Sequence, residues 1–258
     1  MSQLLGIPAF WNPLGQARWP SLNEQQVVVA RVSLLPWAKQ AHLLFDVLSL
    51  AQRQFSLSIK HPHKRLQSLL GRVLVQHLVS HYRQCAPQQI RWGHTALGKP
   101  FVSAENSTDI HINLSHSGDY VVVAISSDYE MGVDLERERD LSDCLGLAER
   151  FLHLEDWNYL ASLTDIVQRK LFFKLWSRHE AVLKAEGTGW AGGSGHGKLR
   201  LMNIDAPDPT LSPVHLEAGN FLLYDLPFEE GYAAALAIHG TPSYIHCHDW
   251  TQHLDAQF

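Results

Sequence analysis

The residues with the clearest chemical potential lie in Gly132-Val133-Asp134-Leu135-Glu136. Read as a strand, this segment points Asp134 and Glu136 to one side and Val133 and Leu135 to the other. Two carboxylates side by side repel each other unless a cation sits between them. Hard oxygen donors at this spacing suit Mg²⁺, above all Mg²⁺ shared with a substrate phosphate. A solvated strand edge is the plain alternative.

A second candidate lies in Phe172-Phe173-Lys174-Leu175-Trp176-Ser177-Arg178-His179-Glu180-Ala181-Val182-Leu183-Lys184. Glu180 and Lys184 are four residues apart, so on a helix they share a face. As a surface pair they would contribute a few tenths of a kcal/mol. The apolar and aromatic setting argues instead for a buried helix, where charges need partners. The carboxylates of the first motif and a metal would be such partners. A third segment, Asn113-Leu114-Ser115-His116-Ser117-Gly118, reads as a turn between strands that offers donors to an anion. A Ser-His hydrolase is disfavoured, because adjacent Ser115 and His116 are poorly placed to act on one another and no G-x-S-x-G elbow exists. A fourth, Gly98-Lys99-Pro100, is a turn carrying one cation.

The elements that must position these residues follow from periodicity. Residues 26–34 and 120–126 are β-branched strands, and 110–114 and 131–136 are shorter ones. Leu66, Leu69, Leu70, Val73, Leu74 and Leu78 mark an amphipathic helix over 64–82. Residues 38–58 also read as helical. Helices are expected over 145–163 and 165–186, a loop over 191–197, and strands near 198–202, 221–224 and 232–238. The order of strand, helices and strands occurs twice, with a seam near 127–131. The chain is therefore expected to be α+β, with two similar halves spanning 1–128 and 129–240. Residues 241–258 are expected to form a loosely held tail.

Composition narrows the classes. The chain has 258 residues, is 45% hydrophobic and carries a formal charge of -5. That charge gives no reason to expect nucleic-acid binding. Three scattered cysteines without a CxxC pair suggest neither disulfides nor a zinc ribbon. The N-terminus does not read as a secretory signal, and no long apolar run suggests a membrane span. A monomer in the reducing cytoplasm is the expectation. His246-Cys247-His248 has the composition of a soft-metal ligand set but no partner pair at matching spacing. The basic run 61–65 could meet phosphates or simply be solvated.

The four motifs, in this order, resemble the surfactin-type 4'-phosphopantetheinyl transferases. The resemblance covers about residues 51–239 and is carried by GVDLE and WSRHEAVLKAEG. GKPFV and NLSHSGDYVVVAIS stand upstream, and GYAAALAIH downstream. It implies transfer of the 4'-phosphopantetheine arm from coenzyme A to a serine of an acyl, polyketide or peptidyl carrier protein. It also implies a pseudo-dimeric fold with coenzyme A between the halves. Asp134, Glu136 and Glu180 would ligate Mg²⁺, and Lys184 would neutralise phosphate charge and assist the leaving group. Lys99 and Pro100 would line the adenine and ribose, Ser115 and His116 would lie by the phosphates, and Ser68 near the nucleotide. Glu180, or a water held by it, would take the serine proton, with Glu155 or Asp156 as lesser candidates.

The chain departs from the family pattern at four positions. His179 stands where relatives have Lys; it is either a spectator beside Glu180 or, the preferred expectation, a weaker phosphate contact whose strength depends on pH. Gln67 replaces Arg, and Gln52 and Phe55 replace basic residues. Lys60, Lys64 or Arg65 could then grip the coenzyme A 3'-phosphate. The rivals are a Mg²⁺-dependent phosphohydrolase and a non-catalytic module that binds carrier protein or coenzyme A.

Overall fold

The structure is a computed structural model, described here for residues 11–13, 20, 22, 25–96, 99–103, 110–187, 198–202, 214–215, 221–251. In chain order its elements begin with strands β1 (Asn12–Pro13) and β2 (Gln26–Ser33). Two 3₁₀ turns, Leu35–Ala38 and Ala41–Val47, lead to helices α1 (Leu50–Ser58) and α2 (Pro62–Arg83). Strands β3 (Arg91–His94), β4 (Pro100–Ser103), β5 (His111–Ser117), β6 (Tyr120–Ser126) and β7 (Met131–Arg137) follow. Then come helices α3 (Cys144–Ala148), α4 (Leu154–Ala161) and α5 (Asp165–Glu186). Strands β8 (Val214–His215), β9 (Phe221–Asp225), β10 (Tyr232–His239) and β11 (Tyr244–Asp249) complete the described fold.

Contacts divide the chain into two units. The first takes the described parts of 1–94, 100–129 and 242–258. Its sheet has the order β1-β11-β2-β6-β5, and β3 and β4 form a separate hairpin. Central strands β2 and β6 bury valines and isoleucine on both faces, so they read as continuous apolar runs. Helix α2 lays Leu70, Val73, Leu74 and Leu78 against that core. Its start is favoured by Pro62 in the first turn, where a missing N–H costs nothing. The expected tail is instead strand β11, which runs parallel to β2 with Cys247 opposite Val29. Trp250 just beyond it is buried in the core. The strand is hard to see in the residues because histidines flank Cys247 at positions 246 and 248, although His246 and His248 are half-buried and lie in register with Val28 and Ala30 of the core.

The second unit takes 95–99 and 130–241. Its sheet, β7-β10-β9-β8, is antiparallel throughout. Helix α5 packs on it and buries residues around most of its circumference, including Phe172, Phe173, Leu175, Arg178 and His179. Gly187 ends the helix in the left-handed region at φ 71°. The expected helix over 145–163 is two short helices, and the expected strand near 198–202 is reduced to one bridge between Leu152 and Leu199. The helical expectation for 38–58 resolves into one 3₁₀ turn and α1, capped by a Ser49–Gln52 capping box. The glycine-rich segment 191–197 lies outside the described residues.

Candidate active site

The site is best built from β7, whose first glycine sets its geometry. A Cβ on Gly132 would stand 2.0 Å from the Ala181 carbonyl oxygen and 2.4 Å from the Ala185 nitrogen. Only a glycine lets the strand approach the helix backbone this closely. Alternation places Asp134 and Glu136 on the same α5-facing side as Gly132. Opposite them on β10 stand alanines: Ala235 faces Asp134, and Ala233 faces Glu136. Small neighbours leave room for the carboxylates.

Helix α5 supplies the opposing charge. The Lys184 ammonium donates to Asp134 Oδ1 at 2.7 Å and to the Val133 carbonyl at 3.2 Å. The Asp134 side chain is 5% exposed and that of Lys184 27%, so this ion pair is shielded from bulk water. The charges expected to need each other on a buried helix–strand contact thus meet directly. Glu136 is half-buried and receives Arg139 Nη1 at 3.4 Å. Glu180 lies one helical turn before Lys184 and is partly exposed. Among the described residues no three His, Cys, Asp or Glu side chains form a group that could hold a metal ion. The donor chemistry nonetheless fits one: Asp134 already accepts a cation, Glu136 shares its face, and Glu180 adds a third hard oxygen donor.

Lys99 does not stand alone in its turn. Its ammonium donates to the Ala185 carbonyl at 2.9 Å, at the C-terminal end of α5. Burial lowers its pKa below the ordinary lysine value, with nearby Glu130 acting the other way.

Comparison with known proteins bears on this constellation. Residues 130–237 match the family model described as "4'-phosphopantetheinyl transferase superfamily". Residues 35–128 match the model "4'-phosphopantetheinyl transferase, N-terminal". The 4'-phosphopantetheinyl transferase HetI of Nostoc sp. is 32% identical over 202 residues, covering 78% of this chain and 80% of HetI. The chain belongs to the 4'-phosphopantetheinyl transferase superfamily. It is accordingly an enzyme of the transferase class, with the α+β fold of that superfamily. The 4'-phosphopantetheinyl transferase psf-1 of Bacillus pumilus is 32% identical, covering 66% of this chain and 75% of psf-1. The 4'-phosphopantetheinyl transferase ffp of Bacillus subtilis is 34% identical over 57% of this chain, which spans 63% of ffp.

The remaining positions implied by membership are distributed unevenly. Ser115 and His116 are not in a turn but within β5, so their side chains point to opposite faces. Ser115 is buried and His116 exposed. One anion cannot use both from the same side. The turn comes later, at Gly118, which adopts φ 52°. Its carbonyl oxygen is met by His63 Nε2 at 2.7 Å and accepts from Gln67 Nε2 at 2.9 Å. This clamp from the first turns of α2 onto the β5–β6 turn was missed in the sequence. The signal was present in His63 and Gln67, four residues apart on a helix. Ser68, next to Gln67 on α2, is half-buried. Pro100 opens β4, and Gly98 lies outside the described residues. Arg65 Nε donates to the Ile59 carbonyl at 2.9 Å, while Lys60 and Lys64 are exposed.

His179 differs from the expectation. Its ring is 4% exposed and lies 4.7 Å from the Phe151 ring. Burial lowers its pKa from 6.5 to about 4. Burial thus favours the neutral ring, which supports the spectator reading over a pH-dependent phosphate contact. Adjacent helical positions diverge by about 100°, which turns His179 inward when Glu180 faces the partly exposed side.

Asp156 and Glu155 are also reassigned. Asp156 is fully buried, and one of its oxygens accepts the backbone N–H groups of Leu201 and Met202. Its pKa is raised by desolvation, an effect those hydrogen bonds oppose. Glu155 pairs with Arg200. Both are engaged with the chain around 200–202.

Proposed function

We propose that this enzyme moves the 4'-phosphopantetheine arm of coenzyme A onto a serine of an acyl, polyketide or peptidyl carrier protein, converting its apo form to holo. Adenosine 3',5'-bisphosphate is the leaving product. The observation that carries the reading is the shielded meeting of Asp134 and Lys184, with Glu136 on the same strand face and Glu180 one turn away on the helix. Hard anions and an ammonium gathered at one place suit a pyrophosphate substrate that brings a divalent cation.

Asp134, Glu136 and Glu180 would hold Mg²⁺. Bound there, it would supply Lewis-acid polarisation of phosphoryl oxygens. The chain's own residues do the rest. The carrier serine oxygen forms a bond to the β-phosphorus of coenzyme A as the bond to the bisphosphate oxygen breaks. Little covalent help is required, so positioning and charge neutralisation dominate. Lys184 offsets negative charge that develops on the leaving phosphate. Glu180, directly or through a water, accepts the serine proton. The half of the chain spanning 129–240 would thus carry the metal and catalytic motifs. The described cysteines are free thiols, which suits a reducing compartment, and we place the enzyme there as a cytoplasmic monomer.

Mass spectrometry tests this directly. An apo carrier protein incubated with coenzyme A, Mg²⁺ and the enzyme should gain one phosphopantetheine mass. Release of phosphate or phosphopantetheine without that gain would indicate a phosphohydrolase. Binding without turnover would indicate a non-catalytic module.

A further inference from the structure

The last turn of α5 is where the helix meets the charged site. Its final four carbonyls lack N–H partners within the helix, and the negative end of the helix dipole gathers there. A cation from outside the helix answers that need, for the Lys99 ammonium donates to the Ala185 carbonyl at 2.9 Å. The turn that presents Lys99 is itself closed. The Thr95 N–H donates to the Lys99 carbonyl at 2.9 Å, and the Lys99 N–H donates to the Thr95 hydroxyl at 3.1 Å. The lysine stem packs beside Gly187, where an added Cβ would meet Lys99 Cδ at 3.2 Å. The same helical turn is met by β7, because a Cβ on Gly132 would come within 2.4 Å of the Ala185 nitrogen and 2.9 Å of the Lys184 carbonyl carbon. Lys184, one residue before Ala185, therefore leaves the backbone from a segment fixed by two outside contacts.

We propose that Lys99 is a positioning residue, clamping the last turn of α5 so that Lys184 is aimed at the reacting phosphates, rather than a residue that grips the nucleotide. The proposal rests on the transferase reading above. A donor spent on a helix carbonyl, with its stem packed against the helix terminus, is poorly free to follow a ligand. A loosened turn would let the Lys184 ammonium wander, and misplacement of about 1 Å can cost a large part of a rate.

Three proteins decide the matter: wild type, Lys99→Met, which keeps the stem and removes the donor, and Lys99→Arg, which keeps a donor of similar reach. The Met variant should lose about tenfold in kcat while its KM for coenzyme A stays within about twofold. Its affinity for adenosine 3',5'-bisphosphate, measured by calorimetry, should also stay within about twofold. Lys99→Arg should recover most of kcat. A rise in KM with a matching loss of bisphosphate affinity and unchanged kcat would make Lys99 a nucleotide ligand and overturn the proposal. So would a Met variant with wild-type kinetics. If wild type itself transfers nothing to a carrier protein, the transferase reading fails instead. The clamp is then judged by amide hydrogen exchange over 183–187, which should quicken about tenfold in Lys99→Met. Equal exchange in the two proteins would refute it.

Discussion

The two units solve the same packing problem in different ways. Each lays one 22-residue helix on a sheet, α2 in the first and α5 in the second. Under α2 the contact is nearly all aliphatic, with Leu70, Val73 and Leu74 meeting Val121, Val123 and Ile125. Under α5 the contact carries charge. Arg178 is 1% exposed and grips Asp225 through two bonds of 2.8 and 2.6 Å. Lys174 adds a third contact to that carboxylate at 3.0 Å, and Lys184 reaches Asp134. Buried ion pairs roughly break even against hydrophobic packing, since desolvation offsets attraction. The difference teaches that the first unit is built for stability, while the second tolerates a costly interface in order to hold charges in place.

The two helix–sheet glycines give the sharpest test. Gly71 of α2 would bring a Cβ to 3.4 Å from Leu114 and 3.5 Å from Val121, an ordinary contact. Gly71→Ala should therefore change stability by no more than about 1 kcal/mol, with helix propensity favouring Ala. Gly132→Ala would drive a methyl into the α5 backbone, and should lose roughly 3 kcal/mol or more together with transfer activity. Urea midpoints of the two variants would settle it. Similar midpoints would erase the contrast between the interfaces.

Next in size are the two halves of the buried pair. Lys184→Met leaves the Asp134 carboxylate in place without its ammonium, and should destabilise by roughly 3 kcal/mol while abolishing transfer. Asp134→Ala should also abolish transfer but cost less stability, roughly 1–2 kcal/mol, because Lys184 keeps the Val133 carbonyl as an acceptor. Removing Asp134 is thus expected to weaken the fold, not to relieve a repulsion between carboxylates. Paired melting and single-turnover mass measurements check the order. Should Asp134→Ala prove the less stable, the role given to the ion pair is wrong.

The last contrast, which leaves activity untouched, concerns His179, which α5 buries where α2 would bury an aliphatic side chain. Its folded pKa of about 4 lies below the unfolded value of 6.5. The unfolded chain therefore binds the proton first as pH falls. The neutral-histidine contribution is complete above about pH 6.5 and is lost progressively down to about pH 4. Between pH 7.5 and 5 that loss amounts to roughly 2 kcal/mol. His179→Phe should flatten this part of the stability profile, and coenzyme A affinity between pH 6 and 8 should be indifferent to the change. An unaltered stability profile in the variant would mean that the ring titrates in contact with solvent.

How legible was this in the residues? Helix α5 was bounded at 165–186 and strand β6 at 120–126, as observed. Both are long or strongly β-branched, with clear stops such as Gly187. The pairing of Asp134 with Glu136 on one face followed from strand alternation alone. By contrast β11 does not show as a strand in the residues, because half-buried His246 and His248 occupy one of its faces, and the hairpin β3–β4 is too short to show a period. Ser115 and His116 were placed in a turn because Ser, Gly and Asp are turn formers. Pairing with β6 overrode that preference and drew them into β5.

By itself the chain determined its α+β class, the helix that carries Glu180 and Lys184, and the carboxylate face of β7, since these rest on local periodicity of 3.6 and 2. It could not determine what each charge touches. That Lys99 reaches Ala185, that Asp225 waits for Arg178, and that His179 is buried beside Phe151 all depend on residues distant in the chain. Tertiary packing alone brings them within hydrogen-bond or van der Waals reach, and burial there fixes which charges survive.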